Sequence, residues 1–385
     1  MTALKSPSGR RTASLEPGAQ QADRFAMELA ERLRATGENA YQGSPSDADS
    51  REAYTAYGAG GYIGLHWPKN LGGQGLSPLE TVAVEEVFGY HWLPMSSYLL
   101  SVKTIGNALL QFGSPELVER LLPRIAAGEL VFCQGFSEPE AGSDLASLRT
   151  RARLEGDRWI VNGRKIWTSS AEHADWAYLA VRTNPDEPRH RGLSVLVADM
   201  RTPGIDVTVH RTLGGGTIGE LALTDVEIPC DQVVGEVDAG WSVLMGTLDH
   251  ERVTSEKVGV VCSLLDLLVE HAVTSAQRRL LSRLRGEAAV ARLHGRHATE
   301  LLARRTPAAA ASSMAKLSVA VLMQRLAGIA VDLLGPHALV ENGPDALLGG
   351  RLAAFHRAAV ATTIAGGASD IQRRNIARQG LGFGR

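Results

Sequence analysis

The chain has 385 residues, 40 Lys+Arg against 42 Asp+Glu, and 44% hydrophobic residues. That length gives room for two or three domains, or one large multilayer unit with a sizeable core. A formal net charge of −2 argues against a dedicated nucleic-acid binder, and three cysteines (Cys133, Cys230, Cys262) are too few for a disulfide framework.

No apolar run approaches the ~20 residues of a membrane span, and the start shows no signal-peptide pattern. The expectation is a soluble, cytoplasmic, globular protein with neither nucleic-acid nor membrane partners. Residues 1–19 are rich in Ser, Pro, Gly and Arg and are predicted to be a disordered tail.

From residue 20 to 129 the apolar spacing is helical. Segment 20–36 places Phe25, Met27, Leu29 and Leu33 near one face. The Gly-rich stretch 60–75 breaks the helices. Ser77-Pro78 with Glu80 predicts a capped helix start, and Ser114-Pro115-Glu116 repeats the pattern. Across 130–236 the texture alternates, with hairpin signals at Gly156-Asp157 and Asn162-Gly163 and strand candidates at 175–183, 193–200 and 220–229. Helical texture returns over 237–385. The fold class is therefore α+β: an N-terminal helical domain, a central antiparallel β domain and a C-terminal helical bundle. Segregated strands and helices argue against a doubly wound parallel sheet.

Several motifs read as structure. Gly214 to Gly219 fits G-x-G-x-x-G, but a strand-like segment follows where a dinucleotide site needs a helix, so it reads as a loop between strands. His294 and His297 sit in an Arg-rich helix and read as solvent-facing; no metal is expected. Residues 278–305 hold eight arginines against Glu287 and Glu300. That excess reads as a solvated helix or as a surface for a phosphate-bearing ligand. No G-x-S-x-G elbow is present.

The informative stretch is 132–183. Ser137 to Asp144 packs a turn, two small residues and several hydroxyls. Trp167 then ends a strand beside Thr168, Ser169 and Ser170. A large aromatic flanked by hydroxyls suits a planar heterocycle; an ordinary buried Trp at a strand end is the alternative. This stretch resembles the signature of the acyl-CoA dehydrogenase family, close to T/S-E-P-x-A-G-S-D followed by G-D-x-x-x-x-N-G-x-K-x-W. Segments 62–87, 225–253 and 368–382 are also similar to that family. Residues 1–20 and roughly 271–312 lack a clear counterpart.

The resemblance implies an FAD enzyme that removes the α proton and β hydride of an acyl thioester, leaving a trans-2-enoyl product. Gln134, Phe136 and Ser137 would line the flavin. Trp167 would pack on its ring, with Ser169 near N5. Ser143 would lie beside the pantetheine and Arg252 near the substrate. Gly367 and Asp370 fall where the family's closing loop meets the cofactor. Many members carry a catalytic Glu in Y-E-G-T-S-E-I-Q-R. Here that position is Gly366, and the usual Thr is Ala368. A minority place the base on the first C-terminal helix, and the matching residue is Glu251. Such a base needs an apolar pocket, where desolvation raises its pKa towards neutrality. Gly366 keeps the backbone N–H that in the family binds the thioester oxygen.

Further departures weaken the FAD adenine site. No Phe-Gly occurs in 271–305, and Asp332-Leu333-Leu334-Gly335-Pro336 replaces Gln-x-x-Gly-Gly. The implied activity is α,β-desaturation of an acyl-CoA or acyl-carrier-protein thioester in fatty acid or polyketide metabolism. An electron-transfer flavoprotein or oxygen would accept the electrons. The expected assembly is a homo-oligomer, dimer or tetramer, with a heteromer as alternative. A non-catalytic partner subunit, or another flavin oxidase or monooxygenase on this scaffold, are the competing functions.

Overall fold

A computed structural model describes residues 17–35, 51–214 and 216–383. Residues 1–16 of the expected tail lie outside these. Pro17 to Ala19 already belong to the first helix, α1 (Pro17–Ala35). Its buried stripe is Ala22, Ala26, Leu29, Ala30 and Leu33. Met27, expected on that face, is 44% exposed, because two residues after Phe25 the helix has turned it to solvent.

The N-terminal helices continue with α2 (Arg51–Ala59), α3 (Pro78–Tyr90), α4 (Ser96–Tyr98), a π-helical segment (Leu99–Gly106), α5 (Asn107–Phe112) and α6 (Pro115–Ala126). Ser77 caps α3 as the sequence predicts. Its hydroxyl accepts from the Glu80 N–H while the Glu80 carboxylate accepts from the Ser77 N–H. The Gly-rich stretch before it has a packing reason. Trp67 is fully buried, and a Cβ on Gly64 or Gly106 would collide with its ring.

Seven strands form the middle layer: β1 (Phe132–Gly135), β2 (Arg151–Glu155), β3 (Arg158–Ser169), β4 (Trp176–Arg182), β5 (Leu193–Asp199), β6 (Ile205–Arg211) and β7 (Thr217–Pro229). The order is β1-β4-β2-β3-β7-β6, with β5 paired to β4. Pairing is mainly antiparallel, but β1 and β2 join β4 in parallel. Gly156-Asp157 closes the β2–β3 hairpin, with Gly156 at φ +60. Asn162-Gly163, by contrast, makes no hairpin. It is a register shift inside β3, where Asn162 exchanges hydrogen bonds with Asp225 at 2.9 Å each and Gly163 lets Thr150 approach. Gly214 lies in a turn, and Thr217 already belongs to β7, as a loop-to-strand reading requires.

The C-terminal layer holds α7 (Gly240–Glu251), α8 (Ser255–His271), α9 (Ser275–Ala303), α10 (Ala309–Leu334), α11 (Arg351–Ala361) and α12 (Ser369–Asn375). The stretch Ala309–Leu339 is long and apolar enough to cross a membrane by length and composition, which amends the expectation that no run is. Within the fold it is the central bundle helix. Val319, Leu322, Met323 and Leu326 are buried among α8, α9 and α11. The outer layers meet through glycine. Gly89 on α3 and Gly259 on α8 sit so close to the opposing backbone that a Cβ at either would overlap it. Trp92 joins the C-terminal core, with its indole N–H bonded to Ser263 Oγ at 3.0 Å.

Candidate active site

α7 ends at Glu251. Its Oε2 accepts from Gln134 Nε2 of β1 at 3.2 Å, which ties the β layer to the C-terminal helices. Across from it, the loop between α11 and α12 carries Gly366 and Gly367 at φ +67 and +96. A Cβ on Gly366 would stand 3.1 Å from Glu251 Oε1. The Glu251 carboxylate thus occupies the space a side chain at 366 would enter.

Three side chains grip the two glycine carbonyls. Arg252 Nε reaches Gly366 O at 3.4 Å. Gln372 Nε2 donates to Gly366 O at 3.1 Å and Gly367 O at 2.9 Å, and Lys316 Nζ to Gly367 O at 2.7 Å. A trans peptide is planar, so fixing the Gly366 carbonyl aims the Gly367 N–H the opposite way. Arg252 is itself held by Asp249 Oδ1 at 3.0 Å, which also accepts from Ser312 Oγ at 2.9 Å. Burial pushes the Asp249 carboxyl up, against Arg252. Burial pushes the Lys316 ammonium down to about 8, with nearby Lys257 acting in the same sense and Glu251 opposing.

The second part of the site is the end of β3. A register shift between Lys165 and Thr168 places Trp167 at φ +59 and turns it out of the sheet, 68% exposed. The alternative of an ordinary buried Trp is set aside. Beside it Ser169 is half-buried, and Thr168 is fully buried, its hydroxyl without a partner among the described residues. On the reverse of the strand, buried Lys165 donates to Glu138 Oε1 at 2.8 Å and Phe136 O at 3.2 Å. Glu138 also accepts from the Arg149 and Thr150 N–H groups at 2.6 and 2.9 Å. Burial alone would raise the Glu138 carboxyl, but Lys165 and these donors hold it below the usual range. Ile166 N–H bonds Ser137 O at 2.9 Å. Lys165 therefore pins the Phe136–Glu138 turn against the strand that presents Trp167.

The fold brings Gln134, Glu251, Gly366 and Gly367 together, with Arg252 behind them. Arg252, expected at the substrate, is instead 5% exposed and spent on Asp249 and the Gly366 carbonyl. Asp370 is not in this group. Its carboxylate is 92% exposed and pairs with Arg373 at 2.7 Å, because the first turn of α12 points it outward. Ser143 lies on an exposed loop and Phe136 is buried against Tyr178. Lys316, Gln372, Asp249 and Lys165 carried no role in the sequence reading. Lys165 and Gln372 stand inside the matched segments, but nothing local tells what they grip. His294 faces Ser318 and His297 faces solvent, and no described His, Cys, Asp or Glu group is arranged for a metal.

Three family models cover almost the whole chain: the acyl-CoA dehydrogenase N-terminal domain over residues 19–129, the middle domain over 133–226 and the C-terminal domain over 238–381. This chain belongs to the acyl-CoA dehydrogenase family. It is 34% identical over 354 residues to acyl-CoA dehydrogenase FadE26 of Mycobacterium tuberculosis, covering 87% of this chain and 88% of that one. Among solved structures it is similar to the ChsE4-ChsE5 complex from Mycobacterium tuberculosis, with TM-score 0.80, 31% identity and coverage of 98% of this chain and 100% of that one. It is also similar to the Tcur3481-Tcur3483 steroid ACAD, with TM-score 0.84, 27% identity and coverage of 99% and 100%.

The family is one of flavoprotein oxidoreductases, with FAD the usual cofactor. The residues present fit such a group. The exposed Trp167 face offers a stacking surface, and two buried polar atoms, Thr168 Oγ1 next to it in β3 and Gln134 Oε1 beside Glu251, lack a partner among the described residues.

Proposed function

We propose that this chain is an FAD-dependent acyl-thioester dehydrogenase with Glu251 as its base. The carrying observation is the Glu251 carboxylate lying 3.1 Å from where a Gly366 Cβ would stand, so one carboxylate serves the site from α7. The substrate is an acyl-CoA or acyl-carrier-protein thioester. Gln134, Phe136, Ser137, Trp167, Ser169 and Gly367 would hold FAD, and Ser143 would lie beside the thioester's pantetheine arm. FAD, when bound, supplies the hydride acceptor for the substrate β carbon. Glu251 takes the α proton. The Gly366 N–H binds the thioester oxygen and stabilises the enolate as it forms. Arg252, Gln372 and Lys316 keep that loop in place. An electron-transfer flavoprotein or oxygen would then take the electrons.

The test is anaerobic titration of the purified yellow protein with a panel of acyl-CoAs. Bleaching of the flavin absorbance supports the proposal. A chain that purifies colourless and does not take up FAD overturns it.

A second reading, a heteromer in place of a homotetramer, is favoured by the altered adenine-end residues. Ala368 and the Asp332-to-Pro336 run depart from the family pattern, and one similar solved structure is a ChsE4-ChsE5 complex. Mass measurement of the assembly with and without candidate partner chains separates the two.

A further inference from the structure

Gln134 and Tyr178 are register partners across the parallel β1–β4 pair, so their side chains leave the same face of the sheet. Both meet α7. Gln134 Nε2 donates to Glu251 Oε2 at 3.2 Å, and the Tyr178 hydroxyl lies 3.1 Å from Thr247 Oγ1. Thr247 gives its own proton to Val243 O at 2.7 Å, so Tyr178 is the donor to it. Tyr178 and Thr247 are fully buried. Thr247 and Glu251 stand about one turn apart on one face of the helix. The sheet therefore clamps two successive turns of α7, and the second clamp falls on the carboxylate itself.

That carboxylate needs a donor. Glu251 is the last residue of α7, where the negative end of the helix dipole opposes a negative charge. The nearby cations are engaged: Arg252 with Asp249 and the Gly366 carbonyl, Lys316 with the Gly367 carbonyl. Among the described residues, Gln134 makes the one hydrogen bond that the Glu251 side chain receives. The far end of the amide is not held in return, since Oε1 is buried without a partner among the described residues.

We infer that Gln134 is a positioning residue for Glu251, an amide that serves the carboxyl group in both of its protonation states. In the structure, Nε2 donates to the carboxylate and holds it beside Gly366. When the α C–H bond breaks, its proton forms an O–H on Glu251. The C–H electron pair becomes the new C=C as the β hydride leaves for FAD. Half a turn of the amide then presents Oε1 as acceptor to that O–H. The side chain is thus given to Glu251, which leaves the Gln134 backbone for the flavin. The inference rests on the dehydrogenase reading for its substrate, but its first test does not depend on turnover.

Infrared difference spectra of the purified full chain, taken over an acid titration, follow the carboxyl C=O band that Glu251→Gln removes. Gln134→Leu has a similar size but donates nothing, and its band should appear about one pH unit higher than in the wild type. Gln134→Glu sets a second carboxyl in the same place and should also move the band up, which serves if Gln134→Leu fails to fold. The other charges about Glu251 are common to all three proteins: Lys316 of α10, Lys257 of α8 beyond it, and Arg252 and Asp249 on its own helix turn. Gln134 and the Gly366–Gly367 loop bring none.

Anaerobic flavin reduction by the acyl-CoA that bleaches the wild type should slow about tenfold in Gln134→Leu. Affinity for the matching unreactive S-alkyl-CoA thioether should stay within about twofold, as expected when the base and not the substrate is misplaced. An unmoved band, or a rate loss matched by lost thioether affinity, would overturn the inference. A displaced band in a chain that no acyl-CoA bleaches sinks the dehydrogenase reading and leaves the Gln134–Glu251 assignment standing.

Discussion

Glu251 and Gly366 are complementary: the glycine withholds a side chain beside the Glu251 carboxylate, with a notional Cβ only 3.1 Å from Oε1. Glu251→Gln keeps the shape and the Gln134 contact but removes the base. Its anaerobic flavin-reduction rate should fall about 10²- to 10⁴-fold with FAD still bound. Reduction at the wild-type rate in stopped flow removes Glu251 from the mechanism.

Gly366→Ala meets both the carboxylate and a φ of +67. The strain should cost about 1–3 kcal/mol. Because it pushes on Glu251, reduction should slow more than stability alone explains. Comparing denaturation midpoints with reduction rates checks this, and a variant as fast and as stable as the parent refutes it.

Lys316 sets a pH dependence. Its folded pKa of about 8 lies below the 10.5 of an unperturbed lysine. Between those values the unfolded chain binds more protons than the folded one, so stability from this group rises with pH across about 8 to 10.5. Below about 8 both states are protonated and the full burial cost is present. The wild type should therefore gain on Lys316→Met as pH rises through that window. Parallel chemical-denaturation curves at several pH values give the difference, and a flat one contradicts the assignment.

Lys165→Met should leave Glu138 buried without its cation, while the Arg149 and Thr150 N–H groups still point at it. A loss of about 3–5 kcal/mol is expected. Lys165→Met with Glu138→Gln should recover part of it, and urea unfolding of the four proteins closes the cycle.

Trp167→Ala should separate cofactor binding from folding. The indole is 68% exposed, so the apoprotein should change by no more than about 0.5 kcal/mol. FAD affinity, read by flavin fluorescence, should drop about tenfold or more, in line with a lost stacking partner. An unchanged affinity removes Trp167 from the flavin surface.

The layer order and most strand positions were legible in the sequence, because period-2 and helical spacing are local properties. Gly156-Asp157 and Ser77-Pro78 announced their turn and cap for the same reason. Asn162-Gly163 misled, since the dipeptide that favours a hairpin equally serves a bulge once β7 lies alongside. Met27 misled because approximate spacing does not fix which flank of a stripe meets the core.

By itself the sequence determined the family, the absence of the loop carboxylate at Gly366 and the replacement candidate at Glu251. It did so through motif residues whose neighbours in the chain carry the signal. Only the tertiary structure decided what surrounds that carboxylate. Gln134, Lys316 and Gln372 come from a strand and two helices far apart in the chain, and whether a lysine is a surface charge or a buried grip on a carbonyl depends on packing that no local pattern encodes.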